Sequence, residues 1–323
     1  MKIDQITEYI SRSNRELSKI ARKERTNVVY LWYDFIKCSI IHGAIINHYC
    51  RGGLYKLKGC ERRKSLTYRR ILRLYDASNN KEGIAILNNK HLFNKHFAPF
   101  VKRKWLFSDE MDFDSFCNLC DSCPELIVKP EDGVEGAGIS KITVPVDVAD
   151  RRKTFDNLKK ASYMIEECIK QHPGMVYNNT SVNTVRAHTM MDRNGEVHVM
   201  KMLLRIGVGD SVVDNYAHGG CVYEIDAATG RIISPSLKKD GSEVYVHPGT
   251  DIFVLGRCVP NWDKVIEGVK NAHRSLPQCR FIGWDVAVTS DGIELIEGNH
   301  NPDYELLEFF GSKGWWTRFK KYI

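Results

Sequence analysis

The chain has 323 residues, 43% of them hydrophobic and 27% charged, which is enough to bury the core of two or more subdomains. The most apolar stretch, 28–49, is interrupted by Asp34, Lys37 and His42. The sequence therefore predicts no membrane-spanning helix. Ten cysteines, with a polar amphipathic segment rather than an apolar leader after Met1, predict free thiols in a reducing cytoplasm.

Positive charge is concentrated near the start of the sequence. Residues 1–75 contain 17 Lys and Arg against 6 Asp and Glu, while the remaining residues contain 30 against 34. A basic segment on a near-neutral body predicts an acidic partner, such as a membrane surface, a nucleotide sugar or a nucleic acid. Nucleic acid is the least favoured, because aromatic residues are not interleaved with the basic ones. A solvated basic helix face explains the same charge.

The first 82 residues are predicted to be a basic helical region. Helical apolar spacing covers 3–22, the apolar stretch 28–49 reads as one buried helix ended by Gly52-Gly53, and 65–75 reads as a basic helix. From residue 83 the pattern changes, and 84–89 is strand-like.

The next stretch introduces the first lysine of interest. Residues 89–97 predict a helix with Lys90 near its start, and 108–125 are acidic and loop-rich, as at a subdomain boundary. Cys117, Cys120 and Cys123 form a C-x-x-C-x-x-C run. Plain thiols are favoured there, because a tetrahedral metal site needs four ligands and a fourth is not evident.

A glycine-rich loop follows a short strand. Residues 126–130 predict a strand that contains Lys129, and Gly133, Gly136 and Gly138 come next. The loop matches neither a Walker A sequence nor a dinucleotide fingerprint. A mobile loop of this kind folds over phosphates with its backbone N–H groups in some proteins, and is an ordinary hairpin loop in others.

Two predicted hairpins carry the charged residues. Residues 181–191 and 196–206 flank an Asn194-Gly195 turn. Pairing across it places four basic groups on one face, and these are costly together unless an anion meets them. An exposed basic sheet face is the alternative. The four residues are Arg186, His188, Lys201 and Arg205.

Before this hairpin, 162–169 predict a strand that runs into a loop.

The second hairpin covers 281–302, with an Asp-Gly turn. A three-residue loop pairs Thr289 with Ile293 and sets Asp285 opposite Glu297, so that these two carboxylates and Asn299 share a face. Such oxygen ligands suit Mg²⁺ held together with phosphates. A two-residue loop would instead set Asp285 against Gly298. A surface hairpin with solvated acids is the less favoured reading, because opposed carboxylates repel without a cation.

The remaining segments are simpler. The double glycine Gly219-Gly220 allows close approach of the backbone to a ligand, and 262–276 predict an amphipathic helix. The end of the sequence, 314–323, pairs aromatic with basic residues, which fits a membrane interface or a cap on the core.

The order of these segments resembles the ATP-grasp superfamily, and in more detail its sugar-transfer-associated branch found in polysaccharide gene clusters. No single segment is specific, but the ordered set is. The segments that carry the resemblance are Lys90 to Phe93, Val128 to Pro130 with the glycines, Ile165 to Glu167 with Gln171 to Pro173, Ser181 to Arg186, Leu204 to Gly207, Val213 to Asn215, Gly219-Gly220, Ile282 to Asp285 and Glu297 to Asn299.

The resemblance implies an α/β (α+β) fold in which two α+β subdomains clasp ATP, preceded by the helical region. The ATP-grasp domain would cover 83–323, with a lid subdomain at about 125–180 and a metal-binding subdomain at about 181–323.

The resemblance also implies roles for individual residues. ATP would be held by Lys90, Lys129, Gly133, Gly136, Gly138, Glu166, Glu167, Cys168, Ile169 and His172. One or two Mg²⁺ ions, or Mn²⁺, would be held by Asp285, Glu297 and Asn299. Catalysis would fall to Lys129, Arg186 and Arg205, and substrate binding to Arg186, His188, Asn215, Gly219 and Gly220.

The implied activity is that of an ATP-dependent carboxylate–amine ligase that works through an acyl phosphate. It would join an amino acid or small hydroxy acid to an amino sugar that is linked to a nucleotide or a lipid. A sugar kinase, or a non-catalytic nucleotide-binding partner of a glycosyltransferase, are the alternatives. The implied location is the cytoplasm, with peripheral association at the inner membrane face through the basic N-terminal region.

Overall fold

The computed structural model describes residues 3–131, 138–177, 181–209, 219–238, 242–311 and 313–323. The chain divides into two compact units. Unit 1 is Met1–Ser78 with Asp303–Ile323, and unit 2 is Asn79–Pro302. The last segment of the chain thus belongs with the N-terminal helices, whereas the predicted boundary at 82/83 grouped it with the ATP-grasp domain.

The elements are helices and antiparallel strands. In chain order the helices are α1 (Ile3–Lys23), α2 (Val28–His42), α3 (Ile46–Cys50), α4 (Gly59–Lys64), α5 (Tyr68–Ser78), α6 (Lys81–Asn88), α7 (Lys90–His96), α8 (Phe113–Ser122), α9 (Val148–Leu158), α10 (Trp262–Arg274), α11 (Tyr304–Glu308) and α12 (Trp316–Phe319). The strands are β1 (Trp105–Phe107), β2 (Glu125–Pro130), β3 (Ser140–Thr143), β4 (Tyr163–Glu167), β5 (Thr184–Met191), β6 (Val197–Ile206), β7 (Cys221–Ile225), β8 (Ser236–Leu237), β9 (Glu243–Val244), β10 (Phe281–Thr289) and β11 (Gly292–Asn299). Among the described helices, none combines the length and the apolar character needed to cross a bilayer.

Unit 1 is helical, and a partly buried ion pair explains the charge in its most apolar helix. Leu31, Phe35 and Cys38 of α2 pack into the core of the unit. Asp34 receives two hydrogen bonds from Arg62, of 2.8 and 2.5 Å, and a third of 2.6 Å from the Tyr49 hydroxyl. Burial alone would raise the pKa of Asp34, but these donors outweigh it and lower the pKa. The charge of the Asp34 carboxylate is therefore balanced by Arg62 and hydrogen-bonded within the protein rather than solvated by water.

Three local predictions were wrong. The single helix expected over 28–49 is two helices, because Gly43 adopts a left-handed backbone (φ +70°) and its N–H bonds to Ser39 O at the end of α2. The strand-like run 84–89 lies in helix α6, which Asn80 caps through the Gly83 N–H. The loop-rich stretch 108–125 contains helix α8, which begins at an Asp112–Ser115 capping box.

Unit 2 contains two larger antiparallel sheets. The four-stranded sheet has the order β1-β4-β2-β3, and the five-stranded sheet has the order β11-β10-β5-β6-β7. Helices α8 and α9 pack with the smaller sheet. The fold is thus mixed α/β, as predicted, and the predicted strand at 162–169 and helix at 262–276 are confirmed by β4 and α10.

The five-stranded sheet has one apolar and one charged face. Side chains alternate along each strand, and those of the apolar face, such as Val185, Leu204 and Trp284, pack against Val265 and Val269 of α10. The other face carries the charged residues that the sequence singled out. Because both faces are largely buried, each charge on this face requires a partner.

A polar relay crosses the apolar core. Trp284 Nε1–H donates to Thr189 Oγ1 over 2.8 Å, and Thr189 Oγ1 lies 2.6 Å from Nδ1 of His273. The other ring nitrogen of His273, Nε2, lies 2.9 Å from Cys279 O. With the proton on Nε2, every group is satisfied, and β10, β5 and α10 are joined.

Lowering the pH should destabilise unit 2 through His273. Burial lowers the pKa of this imidazole from 6.5 to about 4. Below pH 6.5 the unfolded chain binds a proton at His273 that the folded chain does not bind. The contribution of His273 to stability is therefore complete above the pKa of the unfolded chain, and it is lost as the pH falls toward the pKa of the folded chain. From about pH 7 to about pH 5, urea denaturation should show a loss of roughly 2 kcal/mol in the free energy of unfolding from this group.

The control is a comparison of two histidine variants. His273→Gln should lose less stability over the same pH interval than the parent protein, since the titrating group is gone. His96→Gln removes an exposed ring of the same unit and should keep the parent slope. Equal pH slopes for the parent and His273→Gln would contradict the assignment.

Candidate active site

The charged face of the five-stranded sheet is centred on Asp285 of β10. Arg186 of β5 donates from Nε to Oδ1 over 2.5 Å and from Nη2 to Oδ2 over 2.8 Å, and Arg205 of β6 donates from Nη1 to Oδ2 over 2.9 Å. Burial would raise the pKa of Asp285, but the two arginines outweigh it and hold the pKa well below its usual range. Asp285 is therefore an ionised carboxylate clasped by two guanidinium groups.

The predicted pairing of Asp285 with Glu297 is confirmed, but the turn that was expected to cause it is wrong. Thr289 pairs with Gly292, so the loop has two residues, Ser290 and Asp291, and this alone would set Asp285 against Ile296. A bulge between Val286 and Asp285 shifts the register by one and restores the pairing. The extra residue, Ile296, lies between the partners of these two residues.

Glu297 and Asn299 complete a group of oxygen ligands. Asn299 donates from Nδ2 to Glu297 Oε1 over 3.2 Å, which leaves its own Oδ1 available. The Glu297 side chain is open to solvent. Its pKa is nevertheless raised, by the protein packed around it and by the charge of Asp285. A carboxylate whose ionisation is opposed by a second, ionised carboxylate is the kind of donor set that a divalent cation relieves, so these residues fit Mg²⁺.

The basic hairpin has the predicted face, with one change in charge. Arg186 pairs with Leu203, His188 with Lys201 and Thr184 with Arg205, again aided by a bulge beyond His188. All four basic residues are buried. His188 is not a cation, because burial and the charges of Arg186 and Lys201 lower its pKa to about 3. Of the four cationic or potentially cationic groups expected on this face, three are therefore cations and one is a neutral imidazole.

A second charged cluster lies between the two sheets of unit 2. Glu166 of β4 accepts from Lys129 Nζ at 2.5 Å, from Arg103 Nη2 at 2.8 Å and from Asn94 Nδ2 at 3.1 Å. Burial alone would raise the pKa of Glu166, but Arg103 and Lys129 hold it well below the usual range. The Glu166 side chain, expected to hold ATP, thus orients Lys129.

Arg103 joins this cluster to β11, the strand that carries the predicted metal ligands Glu297 and Asn299. It donates from Nη1 to Glu294 Oε1 over 3.0 Å and to Leu295 O over 2.8 Å, and its backbone N–H also reaches Glu294. Sequence reasoning missed Arg103, Asn94 and Glu294. Of the three, only Glu294 could have been found from strand alternation, and only if the bulge were known. The bulge places Glu294 on the same face of β11 as Glu297. Arg103 lies in a basic run that has no motif.

Lys90 lies at the start of α7, as predicted, and faces the beginning of the glycine-rich loop. Its Nζ donates to Glu131 O over 2.7 Å, and the neighbouring Asn89 donates to Glu131 Oε1 over 2.7 Å. Gly138 is left-handed (φ +75°), and a Cβ there would lie 2.8 Å from Pro130, so glycine is required. Gly133 and Gly136 fall outside the described residues.

The other residues predicted to hold ATP lie at the end of β4 and just beyond it. Glu167 ends the strand and accepts hydrogen bonds from Lys104 N and Ser122 Oγ. Cys168 is half-buried, and burial raises the pKa of its thiol; Ile169 is half-buried beside it. His172 N donates to Val288 O over 2.7 Å, and its Nδ1 accepts from Gly174 N.

Two further groups of predicted residues stand apart. Gly219, left-handed at φ +96°, and Gly220 immediately precede β7, while Asn215 lies outside the described residues. The C-x-x-C-x-x-C run lies on α8 and at its end, and its three thiols are free. Burial raises the pKa of Cys120 to about 11.

Comparison with protein-family models identifies the class of the protein as ATP-grasp. The matching model describes sugar-transfer associated ATP-grasp proteins and covers residues 69–322, so the chain belongs to this family and the predicted resemblance is confirmed. No sequence among curated proteins matches the chain.

The chain is also similar to several solved structures of ligases. PsnB with a minimal precursor, Mg and ADP is 16% identical over 81% of this chain and 68% of its own, with a TM-score of 0.46. D-alanyl-alanine synthetase A from Vibrio cholerae O1 biovar eltor is 14% identical over 76% and 68%, with a TM-score of 0.46. The D-alanine-D-alanine ligase from Coxiella burnetii is 10% identical over 76% and 55%, with a TM-score of 0.43.

The overlap with these proteins is partial. In the complex of PsnB with a phosphomimetic precursor variant, Mg and ADP, this chain spans 64% of the PsnB length. Those PsnB complexes contain Mg and ADP. At these identities the likeness carries no information on the substrate.

Removing Arg103 should destabilise the protein strongly. Arg103→Met would leave Glu294 and one oxygen of Glu166 buried without their cation, and breaking a buried ion pair in this way costs about 3–5 kcal/mol. The free energy of unfolding, measured by denaturant titration, reports the change.

Lys104→Met is the matched control, because it removes one positive charge from the adjacent, exposed residue. Such surface changes usually stay within about 0.5 kcal/mol of the parent. If Arg103→Met unfolds as readily as Lys104→Met does, the cluster does not join the two sheets energetically.

Proposed function

We propose that the protein is an ATP-dependent carboxylate–amine ligase that activates its acid as an acyl phosphate. Membership of the ATP-grasp family supports phosphoryl transfer from ATP. The observation that carries the proposal is the charged sheet face, where Asp285 stands between Arg186 and Arg205 and opposite Glu297. This face combines oxygen ligands for a cation with guanidinium groups for transferred phosphate.

We place Mg²⁺ at Asp285, Glu297 and Asn299, with one or two ions, or Mn²⁺, accommodated by the same oxygens. When bound, the ion supplies positive charge to the β- and γ-phosphates of ATP. Three of the lone-pair positions of Asp285 already receive arginine N–H groups, so Glu297 and Asn299 provide the more open oxygens.

Lys90 and Lys129 are assigned to the phosphates of ATP. Both amines lie near the start of the glycine-rich loop, and each has a protein acceptor that fixes its position, Glu131 O for Lys90 and Glu166 for Lys129. We propose that the lid region of about 125–180, which contributes β2, β3 and β4 to the four-stranded sheet, closes over ATP. Glu167, Cys168, Ile169 and His172 then border the adenine through their backbone.

The proposed reaction has two steps. A carboxylate oxygen of the acid attacks the γ-phosphorus, the bond to the β–γ bridging oxygen breaks, and ADP leaves. An amine then attacks the acyl carbon, loses a proton and expels phosphate, which leaves an amide. Arg205 and Arg186 neutralise the transferred phosphoryl group, and backbone N–H groups near Gly219-Gly220 stabilise the oxyanion. His188 and Asn215 contact the acceptor.

We infer that the acceptor is an amino sugar, carried on a nucleotide or a lipid, and that the acid is an amino acid or small hydroxy acid. The family description, sugar-transfer associated, supports a sugar. The basic helices of unit 1 support a cytoplasmic enzyme that works at the inner face of the membrane, in polysaccharide biosynthesis.

Removing Arg205 should abolish most of the activity without loss of the fold. Arg205→Met leaves Asp285 with its bidentate partner Arg186, so the carboxylate stays paired. We expect kcat to fall by about 10²–10³, as for the loss of one preorganised donor to developing negative charge. Release of ADP and phosphate, with candidate acids and amino sugars, is the measurement. Glu297→Gln should lower activity and also raise the Mg²⁺ concentration needed for half-maximal activity.

Arg193→Met, at the exposed turn of the same hairpin, is the matched control and should keep parent activity. Product mass separates the alternatives, since a ligase releases free phosphate and a kinase adds phosphate to its product. Full turnover by Arg205→Met and Glu297→Gln would refute the site. Stabilisation by nucleotide without turnover on any acceptor would favour the non-catalytic alternative.

A further inference from the structure

Helix α2 of unit 1 is apolar on two opposite faces. One face packs into the core of the unit through Leu31, Phe35 and Cys38. The opposite face, here called the outer face of α2, exposes half or more of each of six large apolar side chains: Val29 (70%), Tyr30 (51%), Tyr33 (65%), Ile36 (50%), Ile40 (69%) and Ile41 (57%). A soluble protein rarely leaves a contiguous surface of this kind in water, so the outer face calls for an occupant.

The six side chains form a continuous band. Val29, Tyr33, Ile36 and Ile40 recur at intervals of four, three and four residues, which aligns them in one stripe along a helix about 22 Å long. Tyr30 and Ile41 widen the stripe along one edge, where the exposed Lys37 lies between them. The band therefore runs the length of the helix and carries one cation within it.

Charge identifies the chemistry of the occupant. Unit 1 contains 21 Lys and Arg against 10 Asp and Glu, a net charge of +11. Exposed Lys23 and Arg25 precede α2, and at its other end Arg69 donates to Ile40 O over 3.2 Å. A second copy of this unit would bring the same positive charge to the contact, whereas an anionic surface is attracted to it.

The side chains at the band also suit a lipid headgroup region. Tyrosines are enriched where membrane meets water, because the ring is apolar and the hydroxyl is wet. Lys37 can extend its amine to lipid phosphates while its stem stays among the apolar residues. A helix with an apolar face and basic flanks lies in the plane of such an interface.

We propose that the outer face of α2 inserts into the headgroup boundary of an anionic lipid bilayer, with Arg25, Lys37 and Arg69 against the lipid phosphates. This deepens the membrane location proposed above by naming the surface that docks. The chemistry of the ATP site is not required for it. The two are tested by separate readouts, lipid binding and phosphate release.

The test is co-sedimentation of the full chain with vesicles. Vesicles of equal parts phosphatidylcholine and phosphatidylglycerol are compared with vesicles of phosphatidylcholine alone. We expect binding to the mixed vesicles, weaker binding to the neutral ones, and a decrease at high salt because the electrostatic part is screened. Binding by a protein that shows no ligase activity would support the docking surface and refute only the reaction.

Two variants separate insertion from adsorption. In Tyr33→Ser with Ile40→Ser, two exposed apolar side chains are lost, and the partition coefficient should fall about tenfold or more, given the transfer free energy of such groups. Lys37→Glu should weaken binding to mixed vesicles and leave binding to neutral ones little changed. Val146→Ser, a substitution at a residue of unit 2 that is 92% exposed, is the matched control and should bind as the parent does. Circular dichroism confirms that each variant is folded.

Three results would overturn the proposal. One is no binding of the parent to mixed vesicles. Another is unchanged binding by the Tyr33→Ser, Ile40→Ser variant, which would show adsorption by charge alone. The third is a parent dimer in sedimentation equilibrium that this variant dissociates while lipid binding persists, which would assign the outer face to a second copy.

Discussion

The ionised carboxylate of Asp285 is the charge on which the candidate site depends. It lies inside the protein, where an unpaired charge is prohibitively costly, and it is tolerated because Arg186 and Arg205 close on it from two neighbouring strands. The same contacts hold both guanidinium groups in place before any ligand arrives. Cations fixed in this way act on developing negative charge without reorganising.

The cluster at Glu166, on the four-stranded sheet, likewise consists of a buried carboxylate paired with cations. A buried carboxylate again holds cations, here Lys129 and Arg103, and Arg103 passes the connection to Glu294 on β11. Lys129, proposed for phosphate binding, is thus linked through Glu166 and Arg103 to Glu294, which lies on the same strand as the proposed metal ligands Glu297 and Asn299. A change at one end, such as the loss of Arg103, is felt by both sheets.

The sequence predicted the family, the two hairpin pairings and the residues of the charged face, because alternation along strands and turn residues are local signals. It was right about Asp285 and Glu297 for the wrong reason, since a bulge corrected the turn length. Bulges, the helix over Lys81–Asn88 and the role of Arg103 depend on packing and on distant partners such as Glu294, which local patterns do not contain. The neutral state of His188 likewise follows from burial rather than from residue type.

Unit 1 is assembled from both ends of the sequence, and this has a consequence for biosynthesis. His48 packs edge-on against Tyr304, with ring centroids 4.2 Å apart, and Arg51 pairs with Glu305 at 2.9 Å. During synthesis, Tyr304 and Glu305 emerge from the ribosome only after the whole of Asn79–Pro302 has been made. Unit 2, continuous in sequence, can fold as it emerges. We therefore expect Met1–Ser78, although synthesised before unit 2, to complete its native packing after unit 2 does.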